Sequence, residues 1–120
     1  MRRAQRLTKS KDFTTVHKKG RSVADRLLVL RFMENRLARN RYGFVVSRRV
    51  GKAVVRNRVR RRLREAIRAE GLKGGWDVVV IARAGAAEAD YQALRRSLVR
   101  LVEKGGLKES RVSAKEVREE

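Results

Sequence analysis

The sequence predicts an α/β (α+β) two-layer sandwich, in which a small mixed β-sheet packs with about three helices. Apolar residues recur at helical spacing in three segments, and in three others they alternate or form short continuous runs, as in strands. The order is helix, strand, strand, helix, strand, helix, which favours helices packed on one sheet. The 120 residues are 42% hydrophobic, which is enough for a single core.

The first helix follows a basic N-terminal arm of residues 1–9. Ser10 can cap the N-terminus of this helix, because a serine hydroxyl accepts hydrogen bonds from free N–H groups. The helix is predicted to run to about Lys19 and to end at Gly20. One side of it carries Phe13, Val16 and His17.

Three segments have the patterns of strands. Residues 25–33 alternate between two faces, and residues 42–50 form a second strand. We expect these two to pair as a hairpin across the polar connection 34–41. Residues 77–82 (DVVVIA) are a continuous apolar run between turns, which is typical of a strand buried on both faces.

The second helix is predicted over residues 53–70, AVVRNRVRRRLREAIRAE. A helical wheel places an apolar stripe at Val55, Val59, Leu63, Ala66 and Ile67. The opposite side carries Asn57, Arg60, Arg61, Arg64 and Arg68. The flanks, which we expect near the edge of the sheet, carry Arg56, Arg58 and Arg62. A third helix follows Asp90 as its N-cap, with an apolar stripe at Tyr91, Leu94, Leu98, Leu101 and Val102.

The charge of the chain is one-sided: 33 Lys and Arg against 13 Asp and Glu give a net charge of +20. Residues 107–120 carry equal numbers of both signs, and we predict a polar, flexible tail there. Residues 10–106 are predicted to be a single domain. Like charges four residues apart on a helix repel. The alternative to a binding surface is a solvated charged face, but such faces usually mix both signs, so we expect an external polyanion to relieve the repulsion. Nucleic acid fits better than a membrane surface, because the apolar stripe is needed for the core and the basic side lacks interleaved aromatic residues.

Self-contained enzyme chemistry is poorly supported by the composition. The chain has one histidine and no cysteine, which removes most nucleophile–base pairs and any thiolate metal site. Its acidic residues are scattered, and none suggests a two-metal or acid–base pair. We therefore predict no metal site in the protein. The absence of cysteine suits a reducing cytoplasm, where we expect the protein to act.

Three blocks of the sequence resemble the bacterial ribonuclease P protein subunit. The longest is FVVSRRVGKAVVRNRVRRRLREAIR, with a serine, two basic residues and a glycine at 47–51 before the Arg-Asn-Arg of 56–58. RLTKSKDFTTVHKKGRSVADR is similar to the family's first helix and turn, and DVVVIARAGA to its last strand. The three blocks keep the family's order and spacing over about residues 6–107.

The resemblance implies that residues 10–106 are a single RNA-binding domain, the partner of a large catalytic RNA that removes the 5′ leader of precursor tRNA. The active site and the Mg²⁺ ions are then expected mainly in the RNA, with one monomeric protein per RNA. The resemblance also implies a left-handed crossover around the basic helix, whereas strand–helix–strand units are normally right-handed.

The resemblance assigns two groups of residues. The catalytic RNA is expected to contact Arg48, Arg49, Lys52, Arg58, Arg60, Arg61, Arg62, Arg64 and Arg68. The precursor leader is expected to contact Phe13, His17, Val29, Arg31, Val45, Arg56 and Asn57. His17 stands where many relatives have an aromatic residue, and Arg31 where some have a tyrosine. We therefore predict a leader cleft that is more electrostatic and less aromatic than is usual in the family.

Two other classes of nucleic-acid-binding protein share part of this pattern. A structural RNA-binding protein of the ribosomal type has a similar charge, but the Arg-Asn-Arg block and the leader-cleft helix are foreign to it. A duplex-DNA binder could read adenine with Asn57, but it needs a dimer interface or a second recognition element, and none is evident.

Overall fold

The computed structural model describes residues 5–72 and 74–108 and contains a four-stranded mixed sheet with three α-helices. The elements in chain order are α1 (Ser10–Lys19), β1 (Arg21–Ala24), β2 (Leu28–Glu34), β3 (Arg41–Val45), α2 (Ala53–Glu70), β4 (Trp76–Ala82) and α3 (Tyr91–Gly105). A short 3-10 helix, Ala84–Ala87, joins β4 to α3. The predicted mixed sheet with about three helices is confirmed.

The predicted hairpin between the second and third strands of this sheet is wrong. The strand order is β1-β2-β4-β3, so β4 lies between β2 and β3, antiparallel to the first and parallel to the second. β4 can take this central place because its continuous apolar run presents apolar side chains to both faces of the sheet. Almost every one of its residues is buried there, as predicted. β3 ends at Val45, so the strand predicted over 42–50 is too long, and β3 lies at an edge of the sheet.

A fourth strand, β1, was not predicted. Its four residues pair antiparallel with β2, but three of them are exposed, so no alternation is visible in the sequence. The turn between β1 and β2 is held by Asp25, whose Oδ1 accepts hydrogen bonds of 2.9 Å from the N–H groups of Leu27 and Leu28. The strand predicted over 25–33 therefore begins only at Leu28.

The sheet has two unlike faces. α2 and α3 pack on one of them, against the buried side chains of Leu28, Leu30, Phe32, Val78 and Val80. These helices and the sheet form the two layers of the predicted sandwich. α1 covers part of the opposite face, where Val16 packs with Leu7 and Val79 in a smaller cluster. The rest of that face stays open.

The helix ends agree with the sequence at two of three predicted positions. Ser10 is not the N-cap of α1: Lys9 is, and its carbonyl accepts from the N–H of Asp12 at 3.0 Å. No side chain caps this helix, and Ser10 is its first helical residue. Gly20 does end α1, and an added Cβ would lie 2.4 Å from the carbonyl oxygen of Val16. Asp90 caps α3 by accepting from the N–H of Ala93 at 2.8 Å.

The two ends of the described chain both join the core. Leu7 is buried and donates its N–H to the carbonyl of Tyr42 at 2.8 Å, so the arm lies along the outer edge of β3. Leu107 is also fully buried, one residue beyond the predicted domain limit. The remaining predicted tail and residues 1–4 of the arm lie outside the described residues. β3, α2 and β4 form a parallel strand–helix–strand unit, for which the left-handed crossover stays a prediction.

Candidate nucleic-acid interface

The basic helix α2 divides as its helical wheel predicted. Val59, Leu63, Ala66 and Ile67 are almost completely buried against the sheet and α3, whereas Asn57, Arg61 and Arg68 are exposed. Arg60 and Arg64 are partly exposed. Periodicity alone was sufficient here, because every apolar residue of the stripe lies within one sector of the helix.

We define the arginine face as the outward residues of α2 and of the connection before it: Arg48, Arg49, Lys52, Asn57, Arg60, Arg61, Arg64 and Arg68. Its three residues in the connection are exposed. The first turn of α2 contains no acidic residue, and the stretch from Arg48 to Arg64 has none either. Ion pairs closer than 4.0 Å within residues 5–72 and 74–108 include those of Arg41, Arg100 and Lys108, which lie outside this face.

Two arginines assigned to the catalytic RNA are hydrogen-bonded within the protein. Arg62 Nη1 donates to the carbonyl of Ala89 at 2.9 Å, and Arg58 Nη2 to that of Ala87 at 3.5 Å. Their flank position on the wheel is confirmed, but the neighbour is the β4–α3 connection rather than the edge of the sheet. The sequence had no signal for this contact, because backbone carbonyls accept hydrogen bonds at any residue type.

Arg60, on the other side of the helix, also has protein acceptors. Its Nη1 donates to Oδ1 of Asn57 at 3.0 Å, and its Nη2 lies 3.5 Å from the carbonyl of Val46, just after β3. The guanidinium therefore joins the middle of the Arg-Asn-Arg motif to the end of the third strand.

A cleft of about 210 Å³ opens between α1 and the uncovered part of the sheet. It is lined by Phe13, His17, Arg31, Val45, Val79 and Ile81. Four of the residues assigned to the leader are thus brought together. Val29 lies directly beside Ile81 in the sheet register, in one row with Val45 on the far strand. Arg56 and Asn57 are on α2, outside the lining of this cleft.

Phe13 reaches the cleft because Gly43 has no side chain. A Cβ at Gly43 would lie 2.4 Å from Cε1 of Phe13, so the ring rests directly on the backbone of β3. The ring is only partly buried and packs beside Val79 and Ile81. This role of Gly43 was not predicted, although a glycine inside a strand often marks such a close approach.

Arg31 has a structural partner in the cleft wall. Its guanidinium donates to the carbonyl of His17 and, at 3.4 Å, to that of Gly20. These carbonyls end α1, where the helix dipole favours a positive charge. His17 itself is exposed. One wall of the cleft therefore carries the phenyl ring of Phe13, the imidazole of His17 and the guanidinium of Arg31, and the floor of the cleft is aliphatic.

The acidic residues near the sheet are engaged inside the protein. Arg41 forms a bidentate ion pair with Asp77: its Nε donates to Oδ1 at 2.9 Å and its Nη2 to Oδ2 at 2.7 Å. This pair raises the pKa of the Arg41 guanidinium. Burial acts to raise the pKa of Asp25, but hydrogen bonds from Ser97, from the Leu28 and Leu27 N–H groups and from Arg100 outweigh it and lower that pKa. In the described part of the chain, no three His, Asp or Glu side chains are grouped closely enough to hold a metal ion.

No helix in the described ranges combines the length and the apolar character that crossing a membrane requires.

The chain matches the family model described as Ribonuclease P over residues 1–106. It is 43% identical over 108 residues to the ribonuclease P protein component of Caldanaerobacter subterraneus subsp. tengcongensis, covering 88% of this chain and 93% of that one. It is 42% identical over 104 residues to that of Dehalococcoides mccartyi, covering 87% of each chain.

Solved structures agree with this relationship. The RNase P protein of Staphylococcus aureus superposes with a TM-score of 0.83 at 31% identity, over 89% of this chain and all of that one. The RNase P protein from Thermotoga maritima superposes with a TM-score of 0.75 at 34% identity, over 82% and 96%. The fold, the arginine face and the three sequence blocks therefore have one explanation: the chain belongs to the ribonuclease P family, as a protein component of this tRNA-processing ribonucleoprotein.

Proposed function

We propose that the arginine face binds the catalytic RNA of ribonuclease P while the α1–sheet cleft holds the 5′ leader of precursor tRNA, so that the protein promotes endonucleolytic removal of the leader. The observation that carries this proposal is the closeness of the two surfaces. Val45 lines the cleft at the end of β3, and α2 begins at Ala53 after a connection of a few residues. One protein can therefore contact both RNAs at the same junction.

The arginine face suits a structured RNA. Guanidinium groups make paired hydrogen bonds to phosphate oxygens and remain charged at all physiological pH values. An RNA backbone would relieve the repulsion among these arginines, because the stretch from Arg48 to Arg64 contains no acidic residue to do so. Much of the affinity would come from released counterions, so it would fall steeply as salt is raised.

The cleft suits a single strand rather than a duplex. Its floor is aliphatic, and its wall offers Phe13 and His17 as surfaces on which bases can stack. A duplex has its bases already stacked and cannot enter so small a space. The leader of precursor tRNA is the single-stranded part of the substrate that adjoins the cleavage site.

We infer that the bond-breaking chemistry lies in the RNA. The buried and half-buried acids Asp25, Asp77 and Glu70 already hold protein partners. Mg²⁺ would supply charge neutralisation and an activated water, and RNA phosphates are suitable ligands for it. The residues of this chain would bind and orient the two RNAs, one protein to one catalytic RNA.

The test is a cleavage assay at low magnesium with a bacterial ribonuclease P RNA, using precursor tRNA with a long leader and precursor tRNA with a single leader nucleotide. We expect the protein to increase cleavage of both, and to tighten binding of the long-leader substrate more. Replacement of Arg61, Arg64 and Arg68 by Gln should weaken binding of the catalytic RNA. The proposal fails if the protein binds RNA but leaves 5′ cleavage unchanged, as a purely structural RNA-binding protein would.

A further inference from the structure

Asn57, the central residue of the Arg-Asn-Arg motif, is held by a neighbour on its own helix. The side chain of Asn57 is exposed, and its Oδ1 accepts a hydrogen bond of 3.0 Å from Nη1 of Arg60. Residues three apart on a helix lie on one side, so the contact is built into the local sequence.

The chemistry of this contact decides which end of the amide faces outward. A guanidinium has five N–H donors and no acceptor, so only the carbonyl oxygen of an amide can face it. The amide NH₂ of Asn57 is then directed away from Arg60. What it offers a partner is a pair of donors, which fit a phosphate oxygen, a base carbonyl or an unprotonated ring nitrogen of RNA.

Arg60 is itself restrained from its other side. Its Nη2 is 3.5 Å from the carbonyl of Val46, which follows the cleft residue Val45 directly. The guanidinium is thus held between the end of β3 and the Asn57 amide. This places the amide where the arginine face meets the cleft.

We propose that Arg60 is a positioning residue that orients the Asn57 amide, and that Asn57 donates a hydrogen bond to an acceptor on RNA at the junction of arginine face and cleft. This rests on the proposed function of that surface. Arg60 was assigned above to the catalytic RNA, and here its main action is exerted through Asn57. A mobile amide could point either end at RNA, whereas the oriented amide presents only donors to a partner rich in acceptors.

A double-mutant cycle tests this coupling. Asn57→Ala is made in the original protein, in Arg60→Met and, as a matched control, in Arg61→Met, which removes the same charge from an exposed neighbour on the helix. We expect Asn57→Ala to weaken RNA binding roughly fivefold in the original protein and in Arg61→Met, but less than about twofold in Arg60→Met. Equal losses in all three backgrounds would overturn the proposal.

Substitutions that change only hydrogen-bonding character provide a second test. Arg60→Lys keeps a donor and should retain much of the effect of Asn57. Arg60→Glu offers only acceptors, so it should attract the NH₂ of Asn57, turn the amide oxygen toward RNA and make Asn57→Ala neutral or favourable. If Arg60→Lys and Arg60→Glu leave the effect of Asn57→Ala equally large, the orientation is not set by residue 60.

Measuring the coupling with different RNAs identifies the RNA that carries the hydrogen-bond acceptor for Asn57. Each variant is measured with the catalytic RNA alone and, in the assembled ribonucleoprotein, with long-leader and one-nucleotide-leader substrates. Coupling seen only with the long-leader substrate places the acceptor on the leader. Coupling already seen when the catalytic RNA is bound without substrate places the acceptor on the catalytic RNA. If the unmodified protein does not promote 5′ cleavage, the proposed function fails; if it does and the cycle is additive, only the present inference fails.

Discussion

At the scale of single residues, the shape of the cleft depends on Gly43, which leaves room for the ring of Phe13. The ring of Phe13 lies against the backbone of Gly43, so Gly43→Ala would place a Cβ within 2.4 Å of it. The ring must move, or the strand must shift. We expect a loss of about 1–3 kcal/mol in the free energy of unfolding, measured in urea, together with weaker leader-dependent binding. Gly85→Ala is the matched control, because its Cβ meets its nearest atom only at 3.4 Å.

The polar wall of the cleft should contribute to leader binding beside the aromatic ring. His17→Ala and Arg31→Lys should each reduce the advantage of a long leader by a few-fold, because both residues line the cleft. Lysine is chosen at position 31 so that a cation remains near the end of α1. The measurement is the ratio of dissociation constants for long-leader and one-nucleotide-leader substrates. The prediction is wrong if this ratio is unchanged in both variants while Phe13→Ala alone abolishes it.

Asp25 should make stability depend on pH in the acid range. Hydrogen bonds hold its pKa below the ordinary value in the folded protein despite burial. A carboxyl with a lowered folded pKa stabilises the fold above its unfolded pKa, and this stabilisation is lost as the pH falls through the folded pKa. We expect the free energy of unfolding to fall below about pH 4. Urea titrations should show a smaller fall for Asp25→Asn, and an identical pH dependence would contradict this.

At the scale of elements, the arginines of α2 should separate into two classes by experiment. Arg58→Gln with Arg62→Gln removes donors to the Ala87 and Ala89 carbonyls. We expect it to lower the free energy of unfolding by about 1–2 kcal/mol. Arg61→Gln, Arg64→Gln and Arg68→Gln together should leave stability nearly unchanged, but should reduce the slope of log affinity against log salt by roughly 2–3.

The two sets are each other's control, because both remove arginines from the same helix. The measurements are urea unfolding without RNA and binding of the catalytic RNA across a salt series. If the Arg58 and Arg62 pair flattens the salt slope while the other three lower stability, the assignment of the two sets of arginines is reversed.

The elements also show where sequence patterns were sufficient. The stripe of α2 and the burial of β4 follow from patterns inside one segment, and both were predicted. The pairing of β3 was not, because two strands adjacent in the chain gave no indication that a later strand would lie between them. β1 escaped prediction because an exposed edge strand of four residues has no alternation to detect.

At the scale of the whole molecule, the charge should make salt act in opposite directions on folding and on binding. The acids Asp25, Asp77 and Glu70 are used inside the protein, while the arginine face is turned to solvent. A net charge of +20 on a small domain repels itself, and salt screens this repulsion. We expect the melting temperature of the free protein to rise between about 0.05 and about 0.5 M salt, while affinity for RNA falls.

Thermal unfolding monitored by circular dichroism provides the first measurement, and filter binding in the same buffers provides the second. Adding the catalytic RNA at low salt should raise the melting temperature as well, because RNA that binds the folded state stabilises it. A melting temperature that falls with salt would mean that attractive pairs, rather than repulsion, dominate the surface of the free protein.

By itself, the sequence determined the class of partner, the basic face of α2, the central buried strand and the family. These properties depend on composition or on the period of one segment, and local sequence specifies both. The tertiary structure decided the strand order, the support of Phe13 by Gly43, and which arginines turn inward to carbonyls. Each of these joins residues far apart in the chain, and backbone carbonyls and strand edges carry no side-chain signal of the partner that will meet them.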